Sequence, residues 1–128
     1  MEDEKHEAGT ILVGDDEAPV LRVVQRILKR SGFKVIPAED GQAAVDAFKG
    51  HQGTIDAVIL DITMPRLSGA DAARQIRELD PNVKIMISSG YEAATATANI
   101  EEGVINGFLQ KPFTPNDLRV AIQELIAK

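Results

Sequence analysis

There is no cysteine among the 128 residues, so disulfides and thiol chemistry are excluded. A chain without cysteine suits a reducing compartment. No apolar stretch is long enough to cross a membrane, and the N-terminus MEDEKHEAGT lacks the apolar core of a signal peptide. Positive charge is in deficit, with 14 Lys and Arg against 20 Asp and Glu, a net charge of -6 and a pI near 4.9. An acidic surface repels phosphate backbones, which disfavours direct nucleic-acid binding. Repeats, low-complexity tracts and an interdomain linker are missing as well. What is there, 44% hydrophobic and 27% charged residues, is the balance of a globular protein. The length suits one domain with a sizeable core. The expected organisation is a solvated tail over residues 1–9 and a domain over 10–128, in the cytoplasm.

Short apolar runs alternate with helical patterns along the domain. Strands are expected over 10–14 (TILVG), 33–37 (FKVIP), 56–60 (DAVIL), 83–88 (VKIMIS) and 106–110 (NGFLQ). Between them, Pro19 to Arg30 carries Val20, Leu21, Val23, Val24, Ile27 and Leu28 at helical spacing and stops at Ser31-Gly32. Helices are also expected over 40–49, 69–79 and 92–102. The last helix starts clearly: Thr114 caps it, Pro115 takes the first helical position, and Asp117 sits in the first turn, where the helix dipole favours negative charge. Five strands alternating with five helices imply an α/β fold with a parallel sheet and helices on both faces, which its nearly unbroken apolar strands require. Segment 92–102, rich in Ala and Thr with Ile100 as its main apolar anchor, is expected to be the least stable element. His6 in the tail and His51 in a loop have no partner at metal-ligand spacing and read as surface residues. Met64 and Met86 read as core.

In a parallel sheet the site lies beyond the carboxyl ends of the strands. Asp15, Asp16 and Glu17 follow the first strand, Asp61 ends the third, Ser88, Ser89 and Gly90 follow the fourth, and Lys111 and Pro112 follow the fifth. These would share one edge. Two carboxylates about 4 Å apart repel by up to ~4 kcal/mol at an effective dielectric near 20. Lys111 offsets part of this, and a hard divalent cation offsets the rest. Oxygen-only ligands point to Mg²⁺ rather than zinc. A blander reading has Asp15 or Asp16 merely capping the first helix.

The stretch from residue 9 to 127 resembles the receiver domain of two-component response regulators. The resemblance rests on DD after the first strand, LDITMP and SG at the third, SSGY after the fourth and FLQKPF at the fifth. It implies a flavodoxin-like (βα)5 fold with strand order 2-1-3-4-5. It implies that Asp61 is the phosphoacceptor, charged by a histidine kinase or phosphotransfer protein. Asp16 and Asp61 would bind Mg²⁺ directly, joined by the backbone carbonyl of Thr63, with Asp15 acting through a water. Lys111 would pair with the phosphoryl oxygen. Ser89 rather than Ser88 would hydrogen-bond it, and the Lys111–Pro112 peptide would be cis. Phe108 matches an aromatic switch position, against the alternative of a plain core residue. Thr63 and Tyr91 match positions that tune phosphoryl lifetime, Tyr91 by shielding. Phosphorylation would change the face formed by the fourth helix, fifth strand and fifth helix, where a downstream protein would bind.

Two rivals remain. A phosphatase of the haloacid dehalogenase type also places an Asp nucleophile after an apolar strand, but wants a second Asp at position 63, which is Thr here. A receiver-like interaction module that is never phosphorylated would tend to lose the acidic residues, and all of them are present. No output domain follows Lys128 in this sequence. Output is therefore expected through protein contacts, or the stretch belongs to a larger protein, such as a hybrid kinase.

Overall fold

A computed structural model describes residues 8–128. Most of the expected tail, with His6, lies outside the described residues. The elements are β1 (Gly9–Gly14), α1 (Ala18–Arg30), β2 (Phe33–Ala38), α2 (Gly41–Gly50), β3 (Ala57–Asp61), α3 (Gly69–Leu79), β4 (Lys84–Ser89), α4 (Ala93–Ala96), β5 (Gly107–Gln110) and α5 (Pro115–Ala127). The five strands form one parallel sheet in the order β2-β1-β3-β4-β5. The first strand starts at Gly9, the last residue of the expected tail and one before the expected strand, with Gly9 level with Phe33.

Strand side chains alternate between faces, and the sequence alternates two apolar sets to match. Ile11, Val13, Ala57, Ile59 and Met86 pack under α1 and α5, against Leu21, Val24, Leu28, Leu118, Ile122 and Leu125. Leu12, Val58, Leu60, Ile85 and Ile87 pack under α2 and α3, against Ala44, Val45, Phe48, Ala72, Ala73 and Ile76. Met64 joins the second layer, so both methionines are core, and His51 is exposed.

The helix starts follow local chemistry. Asp40 and Ser68 accept from the backbone N–H groups of Ala43 and Asp71 and so cap α2 and α3. Thr114 and Asp117 form a reciprocal capping box at α5.

The expected helix over 92–102 is corrected: only Ala93–Ala96 is helical, and none of the four residues is buried. The Thr97 hydroxyl donates to the carbonyl of Ala93, a local bond that competes with helix propagation. Beyond it, Ile100 alone offers a large apolar anchor before Gly103, whose φ is +92°. The stretch 97–106 is instead tied to α3. Arg74 reaches Glu101 at 2.8 Å and the carbonyl of Asn99 at 2.6 Å. Arg77 donates to the carbonyls of Val83, Asp80 and Val104 and to Oδ1 of Asn106.

Candidate functional site

The register sets which side chains meet. Gly14 is level with Leu60, Asp61 with Ser88, and Ser89 with Gln110. Asp15, Asp61, Ser89 and Lys111 therefore leave the sheet at one edge. The carboxylates of Asp15, Asp16 and Asp61 place oxygens within 4.8 Å of one another. Lys111 Nζ lies 2.8 Å from Asp15 Oδ2, 3.0 Å from Asp61 Oδ1 and 3.7 Å from Glu17 Oε1. Asp15 and Asp61 are buried, whereas Asp16 and Glu17 are exposed. The Lys111–Pro112 peptide is cis, and Lys111 N–H donates to the carbonyl of Ser89 at 2.7 Å.

Burial pushes the Asp61 carboxyl above its usual value, and the charges of Asp15 and Asp16 push the same way, against the pull of Lys111. Burial acts against the charge of Lys111 too, but its hydrogen bonds to Asp15 and Asp61 outweigh it and hold the ammonium above the ordinary lysine value. One cation thus serves a cluster of at least three carboxylates. A second positive charge would relieve the imbalance, and an all-oxygen donor set suits a hard divalent cation.

The loops explain how the cluster is held. Asp15 Oδ1 accepts from the backbone N–H of Glu17 at 2.9 Å. The bland capping reading does not describe α1: its N-cap is Glu17, and no side chain caps it. After Asp61, Ile62 N–H donates to Ser88 and Ile62 carbonyl accepts from Gly69. Gly69 leaves no room for a Cβ, which would run into the carbonyl of Asp61. Between these anchors Thr63 is exposed, and its carbonyl accepts no hydrogen bond among the described residues. Arg66 then sits at φ 68°, spanned by a 2.7 Å bond from Leu67 N–H to the Pro65 carbonyl. This γ-turn is a strained conformation for a non-glycine residue. The Arg66 side chain bonds Asp40 at 2.9 Å.

The remaining expected residues are close but not all in contact. Ser89 is buried, and its hydroxyl accepts from Tyr91 N–H at 3.0 Å; among the described residues no hydrogen bond joins it to Asp61. Ser88 is buried as well. Phe108 is half-buried against the α2–α3 layer. Tyr91 is 65% exposed. Sequence reasoning placed Glu17 at this edge but did not foresee its approach to Lys111. It also missed Arg66, for which no glycine marked the left-handed turn.

A family model described as response regulator receiver domain matches residues 11–123. The chemotaxis protein CheY of Bacillus subtilis is 31% identical over 120 residues, covering 93% of this chain and 98% of that protein. The sensor kinase CckA of Brucella abortus is 30% identical over 121 residues, which are 94% of this chain but 13% of the kinase. The chain spans less than half the length of several curated relatives it matches. Among solved structures, the CheX-CheY-BeF3-Mg²⁺ complex of Borrelia burgdorferi superposes with a TM-score of 0.87 at 27% identity, covering 94% of this chain and 90% of that one.

Proposed function

The chain belongs to the response regulator receiver domain family, and from that premise we propose that Asp61 is its phosphoacceptor. As a receiver domain it is a phosphorylation switch of two-component signalling. The observation that carries the assignment to Asp61 is the 3.0 Å contact with Lys111 at the carboxyl end of the central strand β3, inside a trio of carboxylates. An Asp61 oxygen attacks the phosphorus of a phosphohistidine on a histidine kinase or phosphotransfer protein. The new O–P bond replaces the P–N bond, whose electron pair stays on the imidazole. Such transfers depend on position and charge neutralisation more than on covalent assistance.

Asp16, Asp61 and the Thr63 carbonyl are the groups that would hold Mg²⁺, with Asp15 acting through a water. When bound, the ion supplies the positive charge that the transferred oxygens require. The all-oxygen donor set and the unused Thr63 carbonyl fit it, and the related CheY of Borrelia was solved with Mg²⁺ and BeF3. Lys111 pairs with a phosphoryl oxygen, and the Ser89 hydroxyl turns from Tyr91 N–H to donate to another. The added charge, about -1.5 to -2, draws the β4–α4 loop inward, and Phe108 follows into the space it leaves. The face formed by α4, β5 and α5 then presents a changed surface to a downstream protein. Thr63 and Tyr91 tune the lifetime of the acyl phosphate.

Intact-mass spectrometry with Mg²⁺ and acetyl phosphate tests this. A single phosphoryl adduct is expected in wild type, lost with chelator and absent in Asp61→Asn. An adduct that survives in Asp61→Asn overturns the assignment. If neither a small donor nor a phosphorylated kinase charges the wild type, the chain is an interaction module that is never phosphorylated.

A further inference from the structure

Three carboxylates lie within 4 Å of Lys111, those of Asp15, Glu17 and Asp61, but they do not stand alike. Asp15, Asp16 and Asp61 form the tight trio, and Glu17 lies outside it. A divalent cation among the three therefore leaves Glu17 as the uncovered negative charge, 3.7 Å from Lys111 Nζ and 63% exposed. Its position is also unusual for helix chemistry. Glu17 is the N-cap of α1, where a short Ser, Thr, Asp or Asn side chain would accept from the helix backbone, and it makes no such bond. Its side chain reaches Lys111 instead. It also lines a groove of about 670 Å³ whose other walls are mainly apolar: Pro19, Val20 and Val23 from α1, and Pro112 and Phe113 beyond β5. Glu17 and Lys111 are the two charged groups of that groove.

We infer that Glu17 is a specificity-determining residue that disfavours small dianionic phosphodonors, an inference that rests on Asp61 being the phosphoacceptor. A small donor reaches Asp61 as a free anion, so it meets Glu17 with its full charge and competes with it for Lys111. A protein donor brings its phosphoryl group on a surface that covers the groove, so its docking contacts offset the same repulsion.

The test compares wild type, Glu17→Gln, Glu17→Ser and Asp61→Asn by the rate of adduct formation in intact-mass spectra. The donors are acetyl phosphate, a dianion, and phosphoramidate, which carries less net negative charge at neutral pH. At about 20 mM salt, Glu17→Gln is expected to react about three- to tenfold faster than wild type with acetyl phosphate, the range that removal of one nearby, partly screened charge supports. That gain should shrink to under about twofold at about 0.5 M salt, where the Debye length is only ~4 Å. It should be smaller with phosphoramidate. Mg²⁺ affinity by calorimetry should fall by a comparable or smaller factor, because the same charge attracts the cation, so the rates are compared at saturating Mg²⁺. Glu17→Ser supplies a better cap, so it should melt at a higher temperature and still react faster, which separates the charge effect from any loss of structure. A Glu17→Gln rate within about twofold of wild type at low salt, or a gain that ignores salt, overturns the inference. That outcome, with a wild-type adduct lost in Asp61→Asn, leaves the phosphoacceptor reading standing. An adduct that persists in Asp61→Asn overturns that reading, and the inference with it.

Discussion

The two helices that flank β5 make an instructive pair. α5 runs over 13 residues, opens on a capping box and buries Leu118, Ile122 and Leu125. α4 runs over four residues, has no side-chain cap and buries none of them. The first is specified by its own sequence. The second, with the stretch that follows it, takes its place from outside, through the Arg74 and Arg77 side chains of α3 and the packing of Ile100, Val104 and Ile105. An element held by its own apolar stripe opens only with the whole domain, whereas one held by borrowed polar contacts can open alone. The proposed output face thus joins a fixed half to a half that yields to a modest change in free energy.

The largest expected effect lies on the fixed side. Leu118→Ala empties a fully buried site and should cost about 2–5 kcal/mol, with one cooperative shift of the urea midpoint seen by every probe. Arg77→Ala should cost about 1–3 kcal/mol, since carbonyls of Val83 and Val104 lose a donor. Hydrogen exchange should then accelerate over 97–106 and leave Leu118 to Leu125 protected. Acceleration in both regions would end the distinction between them. Arg74→Ala removes a more exposed, solvent-screened pair with Glu101, and should loosen the same stretch less. The smallest effect is that of acid. The hydrogen bond from Arg74 holds the Glu101 carboxyl below its ordinary value of 4.5. Its contribution is therefore complete above pH 4.5 and is lost as pH falls through the lower, folded value. Exchange over 97–106 should quicken across that window in wild type and not in Glu101→Gln. Without perturbation, the amides of 93–96 should exchange before those of α5, and equal protection would refute the contrast.

Much of this could be read from residue order. Nearly unbroken apolar strands and the stop at Ser31-Gly32 placed the sheet and all helices but the fourth within a residue or two, and α3 at Gly69–Leu79 as it stands. The acidic trio with Lys111 was legible because a parallel sheet sends all strand ends to one edge. The extent of the fourth helix was not, since Ala favours helix locally and the sequence does not show that nothing will cover it. The contacts of Arg77 were equally hidden, because a basic residue on a helix reads as solvated until its neighbours are known. Arg66 at positive φ carried no glycine or asparagine signal, and its pairing with Asp40 appears only once the loops meet.

The bond from Lys111 to Asp15 joins positions 96 apart in the chain. During synthesis from the N-terminus, the three carboxylates emerge long before their cation. A nascent domain that ends before β5 holds the acids without Lys111, and without the strand that brings Lys111 to them. The amino acid that balances the site is thus among the last parts of the domain to be made, so competence to carry a signal coincides with completion of the sheet.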